Sequence, residues 1–148
     1  MHKTSLILLF IMTFSFMSFA QSFINKDSIF EQSIAQHKDV FLVFSGSDWC
    51  ANCIRFNKNI GRDPAFQDFI KTDLLYLNAD FPQRKKQSSE LKKQNETLAE
   101  IYNPNGIFPT LLLISPANKI TPVYYQHETV QEFIIKINKI IYALKEND

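Results

Sequence analysis

Apolar residues fall along this chain in two rhythms. Val40-Phe41-Leu42-Val43-Phe44 is an unbroken β-branched and aromatic run, the pattern of a strand buried on both faces. Leu74-Leu75-Tyr76-Leu77 and Thr110-Leu111-Leu112-Leu113-Ile114 repeat that pattern. Residues 120–125 form a fourth strand. The turn residues Pro116-Ala117-Asn118-Lys119 join it antiparallel to the third. The second rhythm is helical. Residues 25–37 place Ile29, Phe30 and Ile34 on one face. A helix from Cys50 through Ile54 and Phe56 toward Ile60 is broken by Gly61. Asp63-Pro64 restarts a short helix, with Asp as N-cap and Pro at the first position. Its inner face is Phe66, Phe69 and Ile70. Leu91, Leu98 and Ile101 predict a helix over 89–102, closed by Asn103-Pro104 and the turn Asn105-Gly106. Phe133, Ile134, Ile137, Ile140 and Ile141 predict a last helix over 128–144. The order α, β, α, α, β, α, β, β, α predicts an α/β fold. Its sheet is mainly parallel, covered by helices on both faces, with one antiparallel strand added by the final hairpin.

The first twenty residues have a different character. Met1-His2-Lys3 is a short basic start, Leu6 to Phe19 is apolar apart from a few Ser and Thr, and Ser18-Phe19-Ala20 offers small residues for cleavage. This predicts a secretory signal peptide over 1–20, with one domain over 21–148. The alternative is a retained anchor, but a spanning helix wants about 20 consecutive apolar residues and this run is shorter. The expected location is outside the cytoplasm, the periplasm in a Gram-negative source. Without Lys3, 15 basic residues balance 15 acidic ones, so neither nucleic acid nor an anionic membrane is an expected partner. Arg84-Lys85-Lys86 and Lys92-Lys93 read as a solvated loop and helix face. With 3 glycines in the chain, a Gly-rich phosphate cradle is not expected. Nor does a carboxylate pair or a Ser-His-Asp set stand out.

The cysteines change the picture most. The chain has 2, Cys50 and Cys53. An exported protein that used them as a staple would close a large loop, and this pair closes almost nothing. The pair is there to react. Trp49-Cys50-Ala51-Asn52-Cys53 follows a buried strand and opens a helix. A free thiol has a pKa of about 8.5, which a helix N-terminus can lower to roughly 3.5–7.5, because unpaired N–H groups and the helix dipole favour the anion. Cys50 is therefore the expected attacking thiolate. Cys53, one turn in and more buried, is the resolving thiol that closes the ring and releases a mixed disulfide. The redox-active disulfide is the only cofactor expected, and no metal is.

Ser47-Asp48-Trp49-Cys50-Ala51-Asn52-Cys53 resembles the active-site segment of the thioredoxin superfamily. Asp48-Trp49-Cys50 is similar to the exported branch that includes the C-terminal domain of the thiol–disulfide interchange protein DsbD. A second segment agrees: residues 95–102, then Asn105-Gly106-Ile107-Phe108-Pro109-Thr110, resemble that family's helix and cis-proline loop leading into a strand. The likeness covers most of 40–144. It implies a thioredoxin fold, a central mixed sheet of about four to five strands flanked by helices, acting as a monomer. It further implies that Pro109 is cis and faces the disulfide. Phe108 and Pro109 would then offer backbone groups to an extended substrate chain, and Trp49 would wall Cys50. The implied activity is thiol–disulfide exchange on protein disulfides, in the reducing direction, fed by a membrane electron donor or a thioredoxin-type reductant.

Four departures from the family stand out. Phe44 occupies the place where the family often carries a buried acid, so the proton relay that assists Cys53 would fall to Asp48 or a water. Ala51-Asn52 replaces the Gly-Pro dipeptide that helps tune the potential. Phe108 is bulkier than the usual residue before the proline. The Cys50-to-Pro109 spacing is long, and the surplus, placed at 83–94, is a candidate for partner contacts. Two other functions remain open at this point. Two thiolates can bind Cu(I), provided that His127 reaches them; His37 and His127 otherwise read as surface or packing histidines. A non-catalytic thioredoxin-like binding domain is the other.

Overall fold

The computed structural model describes residues 26–146. The segment read as a signal peptide lies outside them. Among the described residues, no helix is long and apolar enough to cross a membrane. In chain order the elements are α1 (Lys26–Gln36), β1 (Val40–Ser45), α2 (Ala51–Phe56), α3 (Pro64–Asp73), β2 (Leu75–Asp80), α4 (Ser89–Tyr102), β3 (Thr110–Ile114), β4 (Ile120–Val123) and α5 (Val130–Lys145). A single wide π turn, Asn57–Gly61, follows α2. The helix therefore loosens before the glycine read as its breaker: the amide of Arg62 bonds the carbonyl of Asn57, five residues back.

The four strands lie in the order β2-β1-β3-β4. β1 pairs parallel with β2, with Phe44 opposite Ala79. It pairs antiparallel with β3, with Phe44 opposite Thr110, and β3 pairs antiparallel with β4. The sheet is the mixed one that the resemblance implied; the element order alone, read as mainly parallel, missed that β3 runs antiparallel to β1. α4 and the segment after it return the chain to the end of the sheet where β1 and β2 finish. β3 must then run the other way.

Side chains of β1 alternate between two cores, as a strand's period of two requires. Phe41 and Val43 meet Phe56, Ile60, Phe66, Ile70, Phe133 and Ile137 on the side of α2, α3 and α5. Val40, Leu42 and Phe44 meet Ile29 of α1 and Leu98 of α4 on the other side. Burial on both faces explains why β1 reads as a continuous apolar run. Two helix faces differ from their expected composition. Ile34 of α1 and Ile101 of α4 are exposed, and the buried positions one residue before Ile34 and three before Ile101 are Ser33 and Leu98. The Ser33 hydroxyl is satisfied by the carbonyl of Lys38, so a small polar residue closes the α1–β1 turn there.

Candidate active site

β1 delivers the chain to the site, and the turn after it sets the geometry. Gly46 accepts from the amides of Trp49 and Cys50, at 3.3 and 2.9 Å. This folds residues 46–50 back so that Cys50 becomes the N-cap of α2, with extended backbone. Cys50 and Cys53 are joined as a disulfide with Cα atoms 5.2 Å apart. Cys50 Sγ accepts from the Cys53 amide at 3.2 Å. A donor is therefore already aimed at the sulfur that would carry negative charge in the reduced protein. Both cysteines are largely covered, Cys50 at 7% exposure and Cys53 at 3%.

The other sulfur is served by the turn. The Gly46 amide lies 3.5 Å from Cys53 Sγ. Asp80, at the end of β2, holds that turn from both sides. Its carboxylate accepts from the Ser45 hydroxyl (3.0 Å), the Ser47 amide (2.8 Å) and the Ser47 hydroxyl (2.6 Å). Its own carbonyl accepts from Gln87 and from the buried Asn95. Asp80, Ser45, Ser47 and Asn95 were not singled out in the sequence. Their only mark there is position: Asp80 closes an apolar strand, and the two serines flank a glycine beside the motif.

Trp49 lies across this turn. Its indole Nε1 donates to the carbonyl of Phe81 at 2.7 Å, and its ring meets Phe108 edge-on at 5.5 Å. Phe81 meets Phe108 at the same distance. The three rings form one aromatic wall, with Trp49 39% exposed. The Phe108–Pro109 peptide is cis. Pro109 and Cys53 line one cavity of about 230 Å³, so the proline loop and the disulfide are neighbours. Asn103 braces that loop, a role not read from the sequence. Its side chain donates to the Ile107 carbonyl and accepts from the Ile107 amide. The Thr110 hydroxyl bonds the same carbonyl.

Asp48 is placed otherwise than a proton carrier for Cys53 would be. Its carboxylate accepts from the backbone amides of Gln83, Arg84 and Lys85 at 2.8–3.1 Å. Those bonds, the Gln83 amide foremost, hold its pKa below the ordinary 3.8. It pins a loop, and a carboxylate whose pKa is held low is a weak base for taking the Cys53 proton. Phe44, at the family's acid position, is fully buried within an apolar cluster, so no proton relay starts there. His127 is exposed against the ring of Tyr125. It shares a groove with Asn52, Phe108 and Pro109 rather than with the cysteines. His37 is exposed at the far end of the sheet, just before β1. Among the described residues, no group of three or more His, Cys, Asp or Glu is placed to hold a metal ion.

Comparison with known proteins bears on this arrangement. A family model described as thioredoxin-like matches residues 23–116. The disulfide bond reductase DsbH of Chlamydia pneumoniae is 36% identical over 89 residues. That stretch is 60% of this chain and 53% of the relative, so the chain spans about half the length of the curated relative it matches. A solved structure of a DsbH oxidoreductase superposes with a TM-score of 0.71 at 28% identity, over 78% of this chain and 80% of that one. The C-terminal domain of Neisseria meningitidis DsbD in its reduced form gives 0.52 at 17% identity, over 76% and 91%; this second likeness is one of fold. A two-cysteine helix cap, a mixed sheet between two helical layers and a match running from α1 through β3 lead to one conclusion: the chain belongs to the thioredoxin-like family.

Proposed function

We propose that this protein is a thiol–disulfide oxidoreductase that reduces disulfides of other proteins outside the cytoplasm. The observation that carries the proposal is the Cys50–Cys53 disulfide at the N-cap of α2, beside the Phe108–Pro109 loop. The resemblance to a disulfide bond reductase supports it. In the reduced protein, the Cys50 thiolate attacks one sulfur of a client disulfide. A mixed disulfide forms, and the other client sulfur leaves as a thiolate that takes up a proton. Cys53 then loses its proton and attacks Cys50 Sγ. The second client thiolate is released and the Cys50–Cys53 bond closes. Two electrons and two protons pass to the client. A membrane electron donor or a thioredoxin-type reductant restores the dithiol, and the protein works as a monomer.

Trp49, Phe108 and Pro109 are the substrate-binding residues in this scheme. The aromatic wall shields one side of the sulfurs, and the backbone around Pro109 offers bonds to an extended client segment. The Gly46 amide, held by Asp80 through Ser45 and Ser47, steadies Cys53 when it becomes an anion. Water reaching Cys53 through the cavity takes its proton. The test is insulin reduction by residues 21–148 with a chemical reductant. Wild type should precipitate the insulin B chain, Cys50→Ser should do nothing, and Cys53→Ser should accumulate a mixed disulfide. A wild-type protein no faster than the reductant alone overturns the proposal. The equilibrium potential then fixes direction: near thioredoxin's, about −270 mV, it reduces; near DsbA's, about −120 mV, it oxidises.

A further inference from the structure

Charge is spread unevenly around the disulfide. The chain beyond residue 20 is balanced, yet residues 81–96 carry Arg84, Lys85, Lys86, Lys92 and Lys93 against Glu90 and Glu96. All five cations are exposed. Glu96 stands 3.8 Å from Lys92. Among the described residues, none of Arg84, Lys85 and Lys86 is in an ion pair with a carboxylate.

A solvated basic run would ordinarily carry no more meaning than solubility. This one is fixed in place, and the fixing residues flank the attacking cysteine. Asp48 grips three consecutive amides of the loop, at Gln83, Arg84 and Lys85. Trp49 bonds the Phe81 carbonyl. Gln87 ties the loop's far end to Asp80. Arg84, Lys85 and Lys86 are all exposed; Arg84 is also near enough to the Asp48 carboxylate to help hold its pKa down, which leaves Lys85 and Lys86 as the cations with no such anion beside them among the described residues. One residue, Trp49, separates Asp48 from Cys50 along the chain, so the loop backbone lies within about 14 Å of Cys50. That bound lies well inside the Debye length of about 30 Å at 0.01 M salt and beyond the roughly 8–10 Å of ordinary ionic strength, so the charge acts at low salt. A chain seated on Cys50 therefore feels this charge.

We propose that the loop at 82–88 is a docking ridge for acidic protein segments, and that the preferred clients carry Asp or Glu beside the disulfide that meets Cys50. This rests on the oxidoreductase reading and names its substrate class. The ridge acts on encounter: opposite charge raises the association rate without altering the exchange chemistry, and salt removes the effect.

The test uses two synthetic peptides with one internal disulfide, identical except for glutamates or lysines on both sides of the cysteines. Prereduced protein is mixed with each under single-turnover conditions, and the fluorescence of Trp49, the single tryptophan, follows the reaction. At about 20 mM NaCl the acidic peptide should react at least about tenfold faster than the basic one. At about 500 mM the difference should collapse. The triple variant Arg84→Glu, Lys85→Glu, Lys86→Glu should reverse the preference at low salt and show no preference at about 500 mM. Equal rates for the two peptides at low salt overturn the ridge and leave the oxidoreductase standing. So does a preference that the triple variant retains. Reduction of neither peptide overturns both.

Discussion

A side chain at position 46 would collide with Trp49. A Cβ built on Gly46 lies 2.4 Å from an indole carbon and 2.6 Å from Nε1, so the ring rests directly on the glycine backbone. Gly46→Ala should push the indole outward and break its bond to Phe81. Steric insertion of this kind costs about 1–3 kcal/mol, and urea denaturation followed by the single tryptophan should show that loss with a red-shifted native emission. An unchanged native spectrum would mean that the ring is not seated there. Phe44 makes the opposite case. Position 44 is where the family often has an acid, and that gap was legible in the sequence. What surrounds it was not: the ring is fully buried among Leu98, Leu112 and Ala79. Phe44→Asp should therefore not restore a relay. It should cost at least about 3–5 kcal/mol, the usual loss for deleting a buried Phe. Desolvation should also raise the new carboxyl's pKa. A raised acid favours the folded state below its folded pKa, so the variant should be more stable near pH 4 than near pH 8. Denaturation at the two pH values checks both statements. Cys50 and Cys53 were readable because a two-residue gap leaves few alternatives. Asp80 was not, because a carboxylate that braces a turn more than thirty residues away leaves no local pattern; Asn103 was not, because an Asn beside a Pro at a helix end reads as a stop signal, whatever it bonds.

Among the elements, the strands were read well and the helix faces less so. A strand buried on both sides is apolar at every position, so β1 and β3 announced themselves. A helix needs only part of its circumference apolar. Ile34 and Ile101 fit the period and still point to solvent. The start of α5 was placed at Glu128, but the helix begins at Val130 with Thr129 as N-cap. The cap is reciprocal: the Glu132 amide donates to the Thr129 hydroxyl, and the Glu132 carboxylate accepts from the Thr129 amide and hydroxyl. Thr129→Ala should cost about 1 kcal/mol in thermal or denaturant unfolding. The Thr129 hydroxyl, and then its amide, lower the Glu132 pKa below 4.5. An acid whose folded pKa is depressed contributes above its unfolded value and loses that contribution as pH falls through the folded one. The difference between wild type and variant should thus be full at pH 7 and shrink below about pH 4.5. A gap that stays constant down to pH 3 would show that the carboxylate does not share in the cap.

At the scale of the whole molecule, the α/β class, the two-sided covering and the antiparallel last hairpin were legible from the order of elements, while the direction of β3 against β1 was not. Direction depends on where α4 and the proline loop deliver the chain in space, and periodicity carries no such information. The same whole-molecule view links folding to redox state. The Cys50–Cys53 bond spans a sequence separation of 3, so closing it removes little chain entropy from the unfolded state. Any large stability difference between oxidised and reduced protein must then come from how well the folded site accommodates each state. A thermodynamic cycle makes that difference equal to the gap between the potentials of the folded and unfolded pairs, with about 1.4 kcal/mol for every 30 mV. Two features act in opposite senses. The helix cap and the Cys53 amide on Cys50 Sγ favour a thiolate, and so stabilise the reduced form. The cover over both sulfurs disfavours a charged thiolate, and so favours the uncharged disulfide. A reductant requires the second to win. Guanidinium denaturation with and without a phosphine reductant should therefore show the oxidised form to be the more stable one. A reduced form that outlasts the oxidised one would make this protein an oxidant.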